Sequence, residues 1–133
     1  MSTKINYDQF EIVLCRTSHP GNIGSTARAI KTMGFSKLAL VKPKQFHHSE
    51  ANALAAGAED VLNNAKVVKT IEEALIECHL IIGFTARQRE LSQEHQNIRK
   101  IAKDLKNEPP LKKIALLFGN ETNGLSNDEI KHC

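Results

Sequence analysis

The sequence contains no apolar run near the ~18 residues that cross a bilayer as a helix, and its opening, MSTKINYDQF, lacks the apolar centre of a signal peptide. A cytoplasmic location is the expectation, with no membrane partner. Cysteine is scarce: Cys15, Cys78 and Cys133 form no CxxC pair, and an odd number cannot all pair within one chain. Reduced thiols in a reducing compartment are expected. His47 and His48 adjoin each other, but no set with metal-ligand spacing surrounds them, so a solvated loop pair is expected and no metal site.

Two glycine signatures are also missing. There is no GxGxxG fingerprint and no Gly-Lys-Ser/Thr ending of a phosphate-binding loop, which argues against a dinucleotide-binding domain and against a small-nucleotide-binding α/β protein. No low-complexity tract or linker interrupts the chain. Its 133 residues, 41% hydrophobic and 25% charged, fit one folded domain over 1–133 with one core. A formal charge of +3 is compatible with a polyanionic partner but does not select one.

What is present alternates short apolar runs with helical periodicities, the pattern of an α/β fold with a mostly parallel sheet and helices on both faces. Strands are expected at 12–15, 38–41, 66–68, 80–84 and 114–118, nearly all apolar, as for strands covered on both sides. Between them, Ile23, Ala27 and Ile30 mark one helix face, and Ala51, Leu54, Ala55 and Ala58 a second. Ile71, Ala74, Leu75 and Cys78 mark a third, and Ile98, Ile101, Ala102 and Leu105 a fourth. Thr70 with Glu73 and Ser126 with Glu129 fit the capping box, Asn22 and Ser49 suit N-caps, Gly34 suits a C' position, and Pro109-Pro110 stops the fourth helix.

In open α/β sheets ligands bind beyond the carboxyl ends of strands, so the loops there carry the chemistry. After the first strand comes Ser18-His19-Pro20-Gly21-Asn22-Ile23-Gly24-Ser25-Thr26-Ala27-Arg28. Pro20 and Gly21 make a turn, Gly24 permits close approach of another chain, and Arg28 lies one helical turn further on the same face. A helix N-terminus with small residues and an arginine is either an anion site or simply a turn with a solvated charge. After the fourth strand, Gly83-Phe84-Thr85-Ala86-Arg87 offers backbone groups that could hold a purine edge or a ribose hydroxyl. After the fifth, Phe118-Gly119-Asn120-Glu121-Thr122-Asn123-Gly124-Leu125-Ser126 is a Gly- and Asn-rich turn with one carboxylate, leading into a capped helix.

Thr17-Ser18-His19-Pro20-Gly21-Asn22 running into Gly24–Ala29, with Phe118-Gly119-Asn120-Glu121 and Gly124-Leu125-Ser126-Asn127 at the far end, resembles motifs 1 and 2 of the SpoU-type RNA 2'-O-methyltransferases of the SPOUT superfamily. The segments 54–61 and 83–87 resemble the TrmJ group of that family. The resemblance spans essentially the whole chain. It implies an α/β-knot domain that works as a homodimer, with motif 1 near the interface and S-adenosylmethionine as methyl donor. It places Phe84, Thr85, Ala86 and Gly119 in the cofactor pocket and Asn22 and Arg28 beside the target ribose, and it includes Glu121 in motif 2. The family's third motif, which supplies the knot segment, would lie beyond Cys133, so an incomplete domain is expected.

The reaction so implied is transfer of a methyl group from sulfonium sulfur to a ribose 2'-oxygen of tRNA, at the pyrimidine of anticodon-loop position 32, with rRNA or another tRNA site as alternative. Arg28 would act on the hydroxyl either as a base or as a clamp. Free arginine has a pKa above ~12, so use as a base near neutral pH costs about 7 kcal/mol. A non-catalytic RNA-binding module on the same scaffold is the competing reading.

Overall fold

The computed structural model describes residues 7–46, 48–85, 98–105 and 112–133. A 3-10 turn at Tyr7–Gln9 leads into β1 (Phe10–Cys15), α1 (Pro20–Thr32), β2 (Lys37–Val41), α2 (Ser49–Leu54), α3 (Glu59–Asn63), β3 (Lys66–Val68), α4 (Ile71–Leu75), β4 (Leu80–Phe84), α5 (Ile98–Leu105), β5 (Ile114–Phe118) and α6 (Asn127–Ile130). All five expected strands are present. They form one sheet in the order β3-β2-β1-β5-β4, every described pair parallel.

Residue alternation along β1 and β2 divides the core in two. Ile12, Leu14, Leu38 and Leu40 pack against Ile23, Ala27 and Ile30 of α1 and against Ala51, Ala55, Ala58, Val61 and Leu62 from the α2–α3 region. Val13, Cys15, Ala39 and Val41 face the other way, with Ala115 and Leu117 of β5, toward Ile71, Ala74, Leu75 and Leu125. Helices therefore cover both faces of a parallel sheet, as the alternating pattern implies. At the β3 edge the cover is partial, and Val67 is 51% exposed although its run reads as apolar.

Three local expectations need correction. α1 opens at Pro20, whose missing N–H costs nothing in the first helical turn, so Asn22 lies inside the helix and the N-cap is His19, with no side-chain cap bond. α2 is capped by His48, whose Nδ1 accepts the Glu50 N–H at 3.1 Å, and not by Ser49. The repeat at 51, 54, 55 and 58 is not one helix. The chain turns at Gly57 (φ +86°) between α2 and α3, and Leu54 is 45% exposed while the three alanines are buried.

Other caps stand where expected. Thr70 makes half of its box, accepting the Glu73 N–H at 3.2 Å while its hydroxyl and not its N–H donates to the Glu73 carboxylate; Ser126 and Glu129 make the complete reciprocal box, and Gly34 (φ +96°) closes α1 with the paired bonds Phe35 N–H to Ile30 O and Gly34 N–H to Lys31 O. α5 occupies the fourth periodic stretch. The side chains of Ile98, Ile101, Ala102 and Leu105 lie outside the described residues, as do His47, Ala86, Arg87, Pro109 and Pro110.

Among the described residues no helix is long and apolar enough to cross a membrane. The topology also fixes where a ligand would bind. β1 exits to α1 on one face, while its neighbour β5 exits through 119–126 to α6 on the other, so the chain diverges at the carboxyl ends of these two strands. That divergence is the switch point at which open α/β sheets form their crevice.

Candidate active site at the β1/β5 switch point

β1 is followed by Arg16, which takes a left-handed backbone conformation (φ 58°) that a non-glycine residue rarely adopts. The turn redirects the chain, and a bidentate ion pair fixes the side chain. Arg16 Nε donates to Glu129 Oε2 at 2.8 Å and Nη2 to Glu129 Oε1 at 2.9 Å, while Nη2 also donates to the Gly124 carbonyl at 2.9 Å. Burial alone would raise the carboxyl pKa of Glu129, but the Arg16 guanidinium and the Ser126 donors outweigh it and hold that pKa below the ordinary value. The Arg16 pKa is raised, chiefly by its hydrogen bonds to Glu129.

Across the crevice, residues 119–124 make a tight turn. Asn120 and Gly124 exchange backbone hydrogen bonds (N–H to O, 3.2 and 2.8 Å), with Gly124 at φ +68°. The Asn120 side-chain oxygen accepts from the N–H groups of Thr122 and Asn123, and its amide donates to the Arg16 carbonyl at 2.8 Å and to Ser18 Oγ at 3.0 Å. Gly119 is required by the turn itself. A Cβ there would sit 2.1 Å from the Gly124 carbonyl carbon and 2.2 Å from the Leu125 nitrogen.

Glu121 completes the closure. Its carboxylate accepts the N–H of Ser18 at 3.0 Å, the N–H of His19 at 2.9 Å and the side-chain amide of Asn22 at 2.9 Å. These donors surround the N-terminus of α1, where the helix dipole favours negative charge. Desolvation acts to raise the Glu121 pKa, but the donors prevail and bring it down to about 2. Of the two readings of this helix start, the anion site is the one realised, filled by the chain's own carboxylate, and Glu121 supplies the side-chain cap that His19 does not.

Gly24 likewise serves an internal contact. A Cβ there would lie 2.1 Å from the Ala51 carbonyl oxygen, so the close approach is that of α2 and not of another chain. Arg28 is exposed on α1, and its side chain has no hydrogen bond or ion pair among the described residues. It lies six residues beyond Asn22, about 9 Å along the helix axis, so the fold does not bring it onto the Asn22–Glu121 pair.

At the ends of β4 and β5, the rings of Phe84 and Phe118 stack in parallel, centroids 4.7 Å apart. Thr85 follows directly, and Ala86 lies outside the described residues. A Cβ on Gly83 would meet Cys133 Sγ at 2.6 Å and Leu125 Cδ1 at 2.9 Å, so the segment after β5 packs onto β4 through this glycine. Burial, reinforced by the Glu129 charge, pushes the Cys15 thiol up to about 12 and raises Cys133 as well. Neither thiol is primed as a nucleophile. Among the described residues no three His, Cys, Asp or Glu side chains group as a metal set.

Asn22 and Glu121 thus belong to one hydrogen-bonded assembly, with Gly119 in the turn that carries Glu121, while Arg28 makes no contact with it and Phe84 stacks on Phe118 instead. Arg16, Asn120 and Glu129 were not legible as partners. The one available signal was an arginine directly after a buried strand.

The model of the family described as SpoU rRNA Methylase matches residues 9–133. The chain is 45% identical over 127 residues to the tRNA (cytidine/uridine/adenosine-2'-O-)-methyltransferase TrmJ of Pseudomonas aeruginosa, covering 95% of this chain and 49% of that protein. It spans about half the length of the curated relatives it matches. Among solved structures, a probable methylase family protein from Haemophilus influenzae superposes with a TM-score of 0.89 at 44% identity, covering 96% of this chain and 54% of that one. A probable methyltransferase from Bordetella pertussis gives 0.87 at 40% identity, covering 96% and 78%.

Proposed function

Because the chain belongs to the SpoU rRNA methylase family, we propose that it carries the methyl-transfer site of a tRNA 2'-O-methyltransferase using S-adenosylmethionine. The target is the ribose 2'-hydroxyl of the pyrimidine at anticodon-loop position 32. The carrying observation is the closure of the 16–22 segment by the 119–126 turn through Glu121 and Asn120, at the switch point where this fold class binds ligands. The tRNA assignment follows the curated TrmJ relatives, and the family description keeps rRNA as the second substrate to test.

The donor's chemistry fits the residues beside that closure. Stacked Phe84 and Phe118 offer an aromatic face suited to a purine, and Thr85 and the backbone of Gly119 offer polar groups at the strand ends. S-adenosylmethionine supplies an electrophilic methyl group on a sulfonium. Cys15 and Cys133 stay protonated at neutral pH and do not compete for it.

The chain's own residues supply alignment. Glu121 holds the start of α1 and, through Oε2, the amide of Asn22, which is thereby fixed in one orientation next to the crevice. Arg28 acts on the ribose as a cation that orients phosphate and stabilises the developing alkoxide. The active form is a homodimer, with the 16–22 segment near the interface, acting on tRNA in the cytoplasm.

Incubation of the full-length protein with methyl-labelled S-adenosylmethionine and unmodified tRNA should place label on one 2'-oxygen, at position 32 on mapping. Label on rRNA alone would transfer the substrate assignment. No label on either RNA would refute the reading.

A further inference from the structure

The parallel ladder sets Cys15 opposite Val41 and Val41 opposite Val68. The residues that follow these three strand ends, Arg16, Lys42 and Lys69, therefore form a row across the carboxyl edge of the sheet, spaced by about 4.8 Å per strand. Arg16 and Lys42 are the two described non-glycine residues with positive φ, at 58° and 49°. Both hold this disfavoured conformation while their N–H groups continue the ladder, to Val41 O at 2.7 Å and Val68 O at 3.0 Å. Lys44 is drawn to the same edge by its N–H bond to the Thr17 carbonyl at 3.0 Å, one residue before Ser18.

The charges along this row are unequal in their freedom. Arg16 is neutralised by Glu129. Lys42, Lys44 and Lys69 are exposed, and their side chains have no hydrogen bond or ion pair among the described residues. The neighbouring carboxylates are engaged elsewhere: Glu121 with Ser18, His19 and Asn22, Glu129 with Arg16, Glu72 with His132 at 3.4 Å, and Glu73 with Thr70.

We propose that Lys42, Lys44 and Lys69 form an RNA-docking edge that holds backbone phosphates of a single-stranded loop on one side of the nucleotide presented at the β1/β5 crevice. The proposal rests on the RNA-directed function above and adds the surface that anchors the substrate. Free cations strung across successive strands match the repeated charge of a nucleic-acid backbone, whereas a lone phosphate would meet only one of them. Their position beside the 16–22 segment also lets one strand of RNA reach both.

The test is equilibrium binding of unmodified tRNA, without methyl donor, across a salt series. The edge variant combines Lys42→Asn, which tolerates the left-handed backbone, with Lys44→Gln and Lys69→Gln. A control variant combines Lys37→Gln, Lys66→Gln and Lys103→Gln, and thermal melts confirm that both fold. The edge variant should lose at least tenfold in affinity at low salt. Its slope of log K against log salt should fall by about 2, at ~0.7 per single-strand phosphate contact for three lysines. The control should match wild type.

Unchanged affinity and slope in the edge variant, or an equal loss in the control, would overturn the docking edge. So would a wild-type preference for anionic phospholipid vesicles over tRNA that depends on these lysines. Methyl transfer separates the two ideas. Wild-type protein that methylates tRNA while the edge variant binds it normally defeats the edge alone. Lysine-dependent tRNA binding without any methyl transfer defeats the enzymatic reading and leaves the edge standing.

Discussion

Arg28 poses the sharpest question at the scale of single residues, because it is exposed on α1 and pairs with no described carboxylate. A base would have to be neutral, and neutral guanidine near pH 7 costs about 7 kcal/mol at ~1.36 per pH unit. A cation that clamps phosphate and oxyanion incurs no such cost, and its planar fork gives two parallel donors where lysine gives one point charge. In the enzyme, Arg28→Ala should abolish methyl transfer while leaving donor affinity within a few-fold. Arg28→Lys should fail almost as badly in single-turnover assays, since geometry and not basicity is lost. A lysine variant within about tenfold of wild type, a barrier change of only ~1.4 kcal/mol, with a rate that climbs with pH, would establish the base role instead. The motif made Arg28 conspicuous in the sequence. Glu121 stood in motif 2 without a role, because its partners Ser18, His19 and Asn22 lie about a hundred positions away and only the fold makes them neighbours.

At the scale of elements, the contact between α1 and α2 shows what one missing side chain permits. A Cβ on Gly24 would lie 2.1 Å from the Ala51 carbonyl oxygen and 2.9 Å from its carbonyl carbon, and backbone atoms cannot step aside as a side chain can. Gly24→Ala should therefore destabilise the domain by about 2–3 kcal/mol, the cost of overpacking a close crossing. Gly57→Ala is a useful contrast. Nothing lies within 4 Å of its added Cβ, but φ is +86°, so the cost is backbone strain of about 1 kcal/mol. Urea unfolding should place Gly24→Ala below Gly57→Ala, and the reverse order would mean the helices separate easily. Existence and type of these elements were legible, since five apolar runs and the capping box at Ser126 each act locally. Their edges were less so. Pro20 opens α1 early and leaves the cap position to His19, and His48 caps α2, so Asn22 and Ser49 lie inside their helices; the apolar spacing of Ala51, Ala55 and Ala58 runs on through the turn that divides α2 from α3.

Across the whole molecule, strand order was the part that periodicity could not supply, because apolar spacing says which face of a strand is buried and nothing about its neighbour. The chain builds β1, β2 and β3 outward, crosses under the sheet through α4, and returns from the opposite edge to lay β5 against β1. The two halves meet along that one ladder, and carboxylates from the second half brace it: Glu129 on Arg16, Glu121 on the start of α1. Both have folded pKa values below their ordinary ones, Glu121 at about 2 against 4.5. A depressed carboxyl pKa means the bonus is complete above about pH 4.5 and disappears as pH falls toward 2, where the native state must take up the same proton as the unfolded chain. For Glu121 the full shift would correspond to about 3 kcal/mol, which solvent screening at this exposed site reduces to about 1 kcal/mol. Urea unfolding at pH 7 should then show Glu121→Gln less stable than wild type by about 1 kcal/mol. Near pH 2.5 most of that gap should have gone, since this pH lies well below the ordinary carboxyl value of 4.5 and close to the folded value of about 2, where the wild-type group takes up its proton. A gap that persists unchanged at pH 2.5 would mean the glutamine harms packing of the 119–124 turn, and that charge at the start of α1 contributes little to joining the halves.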